Sequence, residues 1–218
     1  MCFSAAASFS AAAVCAGIGV MTVRRASGPD LMLACIPFIF SLQQALEGVV
    51  WLTKAAGCGW DAGYSFAIIA FCLWPLYVPL ATWMSEADPR RRVYLLSFGL
   101  PGAAVAAAAA WVLFVGLKID FATNKIQYLP TTRYPVIFDY IYAACVTGPL
   151  LLHRSIHLRL FGILILAFFG LSTLLFNPAR YSVWCFFAAI SSIILYFFIS
   201  SRPPTSSRDA QQIEPRKI

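Results

Sequence analysis

The chain has 218 residues and a formal net charge of +7; 61% of it is hydrophobic and only 11% charged, where a soluble domain carries roughly a quarter. That composition excludes an ordinary water-solvated domain, because long apolar runs follow one another with no polar face to spare. The positive balance does not mark a nucleic-acid binder either, since the sixteen Lys and Arg residues sit in short clusters between apolar runs and not on one basic helix or stripe.

A membrane-spanning helix needs about 20 mostly apolar residues. Seven stretches meet that standard, near 4–23, 31–53, 62–84, 93–116, 134–153, 158–176 and 181–200. The expected fold is therefore all-α, a polytopic membrane protein of seven transmembrane helices, with one membrane domain over 1–200 and a tail over 201–218 too poor in apolar surface to fold.

The first run is followed, not preceded, by its charges Arg24 and Arg25, so it reads as a retained anchor entering from outside and not as a cleaved signal peptide. Val14 before Cys15 does not fit a lipoprotein signal. The second and third runs contain Pro37, Pro75 and Pro79, which membrane helices tolerate and which predict kinks. The fourth is nearly all alanine from Gly102 to Trp111, which predicts a closely packed helix. Between the fourth and fifth runs, Lys118 to Arg133 alternates apolar and polar residues around Asn124-Lys125 and predicts a short hairpin over the outer face.

Orientation follows from the basic residues on alternate sides. One side collects Arg24, Arg25, Arg90, Arg91, Arg92, Arg154, Arg159, Arg202, Arg208, Arg216 and Lys217; the other has only Lys54, Lys118, Lys125, Arg133 and Arg180. The richer side is expected in the cytoplasm, which puts the N-terminus outside, the C-terminal tail inside, and the protein in the cell (inner) membrane.

Ionisable residues within spans are costly and are functional candidates, with a structural hydrogen bond as the competing reading. In Gln43-Gln44-Ala-Leu-Glu47-Gly48-Val-Val-Trp51 the spacing of four puts Gln43, Glu47 and Trp51 on one helix face. Asp139 in the fifth run and Ser182, Trp184 and Cys185 in the seventh fall at similar depth, and Cys2 at the N-terminus belongs to the same outer side. This predicts one outer-half pocket shared by Glu47, Asp139 and Cys185, its carboxylates buried without a counter-cation. The competing reading makes Glu47 a neutral helix bridge and Trp51, Trp60 and Trp184 an interfacial aromatic belt.

His153 and His157 have the i, i+4 spacing of metal ligands, but no third ligand accompanies them, and Arg154 and Arg159 beside them favour lipid-headgroup or loop contacts. The seven cysteines contain no C-x-x-C pair, so neither a zinc site nor a disulfide framework is indicated, and the sequence specifies no cofactor.

Met1-Cys2-Phe3-Ser4-Ala5 with Ala7-Ser8-Phe9, Pro37-Phe38, the Gln43-Gln44-x-x-Glu47-Gly48-x-x-Trp51 pattern, and Ser182-x-Trp184-Cys185-Phe186 with Ala188-Ala189 resemble an uncharacterised bacterial family of multi-span membrane proteins over the whole length. The resemblance supports the location of a site and brings no activity with it. A rhodopsin-like reading lacks the retinal-binding lysine in the last helix, and a ceramidase-like reading lacks the histidines for its zinc. Three classes stay open: binding, transport or sensing of a small molecule or ion through the outer-half pocket; an intramembrane enzyme acting on a lipid or membrane-bound substrate, with Glu47 as acid or base and Cys2 or Cys185 as thiol; and a subunit of a larger membrane complex. Membrane lipids are the expected partners in all three, and the oligomeric state is open.

Overall fold

The structure, a computed structural model, describes residues 4–53, 60–121, 125–132 and 135–202. Cys2 and the tail from 203 onward, with its expected disorder, lie outside the described residues. The described residues are all-α apart from one two-stranded hairpin.

Helix α1 (Ala5–Val23) starts at Ser4, whose hydroxyl accepts the Ala7 N–H at 3.2 Å, the usual chemistry of an N-cap. It packs antiparallel along α2 (Leu31–Thr53). Two hydroxyls fix the register: Thr22 donates to the Ala34 carbonyl and Ser41 to the Ala12 carbonyl, both at 2.8 Å. Nearer the other end, the Phe9 ring lies against Gly48, where an added Cβ would stand 2.8 Å from it. Only a residue without a side chain lets the two helices close there.

The third apolar run is not one regular helix. It divides into α3 (Trp60–Ala67), a π-helical turn (Ile68–Leu73) and α4 (Trp74–Ser85). Pro75 has no N–H to return into that turn. The Ala70 carbonyl accepts the Tyr142 hydroxyl.

The triplet Arg90, Arg91 and Arg92, expected in a loop, is helical. Asp88 caps α5 (Pro89–Leu96), its carboxylate accepting the Arg90 N–H at 2.9 Å, and Pro89 occupies the first turn, where a missing N–H costs nothing. Helix α6 (Gly99–Val115) follows. Its alanine-rich stretch packs on one face only: Gly102 meets the Pro75 carbonyl so closely that a Cβ would stand 2.1 Å from it, while Leu100, Trp111 and Phe114 are exposed.

The hairpin expected in the fourth connection is present, with β1 (Leu117–Asp120) antiparallel to β2 (Gln127–Pro130) in the register Leu117↔Pro130. Then come α7 (Ile137–Leu152), α8 (Ile156–Leu175), a 3₁₀ turn (Asn177–Ala179), α9 (Arg180–Ser191) and α10 (Ile193–Ser200), the last two forming one bent rod.

Among the described residues, six stretches are long and apolar enough to cross a membrane: Ala5–Val23, Gly28–Thr53, Asp61–Ser85, Pro89–Val115, Ile156–Leu175 and Arg180–Ser200. The seventh expected span is the shorter α7, whose 16 residues fall below the roughly 20 of a full crossing. It starts only after Pro135 and stops where His153 turns extended. The buried apolar core runs between α2, α4, α7, α8 and the α9–α10 rod, around Phe40, Trp74, Phe161, Trp184 and Phe198.

Candidate functional site

Three helices converge on the polar face of α2. Gln43, Gln44 and Glu47 are all fully buried. Glu47 accepts the Ser182 hydroxyl from the first turn of α9. Gln43 accepts the indole N–H of Trp74, the first residue of α4, at 2.9 Å. One turn beyond Ser182, Cys185 lies beside both Gln43 and Glu47 and lines a cavity of about 20 Å³ together with Trp74 and Phe40.

The remaining amide groups are the unusual part. Neither polar atom of the Gln44 side chain, nor the Gln43 Nε2, nor the Ser8 hydroxyl has a hydrogen-bond partner among the described residues, although Gln44 and Ser8 are wholly buried. Ser8 lies on α1 directly before Phe9, whose ring meets Gly48, in the half of α1 that packs along this part of α2. Gln44 and Glu47 are three apart on one helix and so are neighbours on its surface.

Asp139 is not part of this cluster, contrary to the single shared pocket read from the sequence. It receives Arg180 Nη2 at 2.6 Å and the Tyr181 hydroxyl at 2.5 Å, while Arg180 Nη1 donates to Asn177 Oδ1 at 2.8 Å. Consecutive helix residues point about 100° apart, so Tyr181 meets Asp139 and Ser182 meets Glu47 in different directions from α9. The expectation of no counter-cation fails for Asp139, because Arg180 is bound to it. Asp139 and Tyr181 close the polar side of a second, larger cavity of about 90 Å³ whose walls include Val105, Ala109 and Tyr142.

Of the other sequence candidates, Trp184 is not in an interfacial belt but in the core. Its indole donates to the Ile165 carbonyl at 2.8 Å, and its ring packs on Tyr142 and Phe169. Trp51 is half-buried with its ring 6.3 Å from Phe121. Sequence reasoning did not place Trp74, Ser8, Tyr181 and Arg180 in the site; Ser8 carried a signal in the opening Ala7-Ser8-Phe9 motif, and Arg180 as an outer-side cation directly before the Ser182 motif.

A second polar network closes the opposite end of the bundle. Asp30, buried at the start of α2, accepts the Ser85 hydroxyl at 2.6 Å and lies 3.4 Å from the Arg202 guanidinium, which also donates to the Ser85 carbonyl. Glu86 accepts the backbone N–H of Arg154 at 2.9 Å and of Asp88 at 3.1 Å. His153 is not at a lipid headgroup or in a free loop: it is buried, edge-on to Phe198, with Nε2 3.8 Å from Glu86 and Nδ1 accepting the Ser155 N–H. Burial pushes the His153 imidazole down to about 4 against an upward pull from Glu86. Burial pushes the Glu86 carboxyl up, but the two backbone donors and His153 bring it below the usual carboxylate range.

A family model described as "Family of unknown function (DUF6629)" matches residues 1–210. No curated protein and no solved structure matches the chain.

Proposed function

The chain belongs to that family of unknown function, and from its own geometry we propose that it is a seven-span protein of the cell (inner) membrane that binds a small molecule or ion in the polar cluster of Gln43, Gln44 and Glu47, for transport or sensing. The N-terminus is outside and the tail inside, on the charge count above. The cluster then lies in the outer half of the bilayer.

The observation that carries the reading is the Gln44 carboxamide, fully buried with neither of its polar atoms partnered among the described residues. Each unsatisfied buried group costs about 1–3 kcal/mol, and a bound ligand that supplies a donor and an acceptor recovers it. Native mass spectrometry of protein extracted in lipid nanodiscs tests this directly. The wild type retains a ligand and Gln44→Leu does not, while the variant folds at least as stably, since an apolar replacement removes unmet polar atoms. Equal masses and equal stability for the two proteins reject the reading.

One contact favours the enzymatic alternative on a lipid or membrane-bound substrate: the Ser182 hydroxyl on the Glu47 carboxylate is a hydroxyl within reach of a base. Ser182→Ala separates the two readings, because it removes that hydroxyl and leaves the amides of Gln43 and Gln44 in place.

A further inference from the structure

We propose that the cavity of about 90 Å³ between α6, α7 and the π turn binds one hydrocarbon chain of a membrane lipid, with the lipid's ester or hydroxyl end at Asp139 and Tyr181. The site is separate from the Glu47 cluster. It takes from the reading above only that these helices cross a bilayer.

The space has a cause in the sequence. At one end α6 is pinned to the third run, since Gly102 meets the Pro75 carbonyl so closely that a Cβ would stand 2.1 Å from it. Further along, α6 turns one stripe toward the gap: Val105, Ala108, Ala109, Val112 and Leu113, the spacing of a single helix face. The two alanines put only methyl groups in the middle of that stripe, and the gap they leave is walled on its far side by Phe71 of the π turn and Tyr142 of α7.

Shape selects the occupant. From Val105 to Leu113 the stripe runs about 12 Å along α6 at 1.5 Å per residue, and one leaflet of a bilayer's hydrocarbon core is about 15 Å deep. The cavity therefore lies along the helices, as lipid chains do, and has nearly the length of one leaflet's hydrocarbon. A transmembrane helix of a second protein is about 10 Å wide and does not fit a space of this volume. Entry is from the side, because Ala108, Ala109, Val112 and Phe138 are only half-buried along the seam between α6 and α7.

Chemistry agrees with shape. Of the described lining side chains only Asp139, Tyr142 and Tyr181 carry polar atoms; the Tyr142 hydroxyl donates to the Ala70 carbonyl and the Tyr181 hydroxyl to Asp139. A soluble metabolite needs several convergent polar groups for orientation, and an apolar cavity takes apolar guests in preference to water. Asp139 and Tyr181 stand in the first turns of α7 and α9, at the end of the cavity that the hairpin residues Leu117 and Pro130 close. Polar groups are thus gathered at the end of the bundle where a lipid changes from hydrocarbon to ester.

The test uses full-length protein reconstituted in nanodiscs with two phosphatidylcholine probes, one carrying a diazirine at mid-chain and one carrying it beside the ester. After irradiation, peptide mass spectrometry maps the adducts. The mid-chain probe is expected on Val105, Ala108 and Phe71 in excess of Trp111 and Phe114, which are exposed on the same stretch of α6. The ester-side probe is expected at Pro130 and Tyr181. Ala109→Leu adds an isopropyl group to the cavity wall and lowers the Val105 and Phe71 adducts about tenfold, the usual size of an overpacking penalty. Ala110→Leu, at an exposed neighbouring position, leaves them unchanged. If Ala109→Leu does not fold, Ala109→Val replaces it with a smaller loss, and the wild-type map decides alone. Adducts on Trp111 and Phe114 without enrichment in the cavity, as a cavity holding only water would give, overturn the proposal. So does an enrichment that Ala109→Leu leaves intact, or a reversed order of the two probes.

Discussion

Ser182 donates its hydroxyl to Glu47 across the α2–α9 contact, so the buried carboxylate is held by a residue 135 positions further along the chain. Removing the donor with Ser182→Ala leaves that oxygen without this partner and costs ~2 kcal/mol, the usual loss for a hydrogen bond to a charged group. Glu47→Gln stays within ~1 kcal/mol of the wild type, because the amide oxygen still accepts. Chemical denaturation in detergent micelles measures both, and an unaffected Ser182→Ala would show that the contact contributes nothing.

The Arg180–Asp139 pair yields a different pattern. Breaking a fully buried pair costs roughly 3–5 kcal/mol, but the Arg180 side chain is 21% exposed, so solvent screening reduces the expected loss for Arg180→Gln to ~2 kcal/mol. Adding Asp139→Asn to it restores part of the loss, since no charge is left unpaired. A double-mutant cycle on unfolding free energies gives a coupling of at least ~1 kcal/mol if the pair is as drawn, and strict additivity would contradict it.

Acid acts at the other end of the bundle. The folded-state His153 is depressed from its ordinary 6.5 to about 4, so between those values the unfolded chain binds the proton and the folded chain does not. Stability that is present above pH 6.5 is lost as the pH falls toward 4 and levels off below it. Glu86, also lowered, acts in the same sense, its contribution present above the ordinary 4.5 and lost below. Unfolding temperatures from pH 7 to 4 fall in the wild type and fall less in His153→Gln; parallel curves would exclude His153 as the source.

Orientation is checked by labelling. With native cysteines replaced, a cysteine at Lys118 reacts with a membrane-impermeant maleimide in intact cells and one at Arg91 reacts only after lysis. The reverse pattern would invert the proposed topology.

Much of the architecture was legible because lipid imposes a simple rule: long apolar runs with polar punctuation. Helices α1, α2 and α8 begin and end within a few residues of their expected limits, and the hairpin was visible in the alternation around Asn124-Lys125. The breaks inside runs were not. Pro75 announces trouble in the third run without saying that it takes the form of a π turn upstream, and the helical start at Pro89 depends on a cap by Asp88 that looks like loop polarity in the sequence.

At the site, Gln43, Glu47, Ser182 and Cys185 were found because polar side chains stand out in apolar runs, and the structure brings these four together. Pairing was hidden. Hydropathy assigns depth and says nothing of azimuth, so Asp139 and Glu47 read as one pocket although each meets a different residue of α9. Arg180 and Arg202 were counted only as loop charges, since nothing in a linear sequence shows which distant carboxylate or backbone group each one meets.

The buried Asp30 also sets an order for assembly. Its Ser85 partner is made 55 residues later, and Arg202 comes after the last helix. At roughly 5–20 residues per second of synthesis, the start of α2 exists for on the order of 10–30 s before Arg202 leaves the ribosome. The α1–α2 pair closes early through its own Thr22 and Ser41 contacts, while the acid at its inner end stays without its arginine until the final helix is in place. A chain cut short before Arg202 therefore keeps the α1–α2 contacts and the Ser85 hydrogen bond to Asp30 but lacks the guanidinium that balances this buried acid.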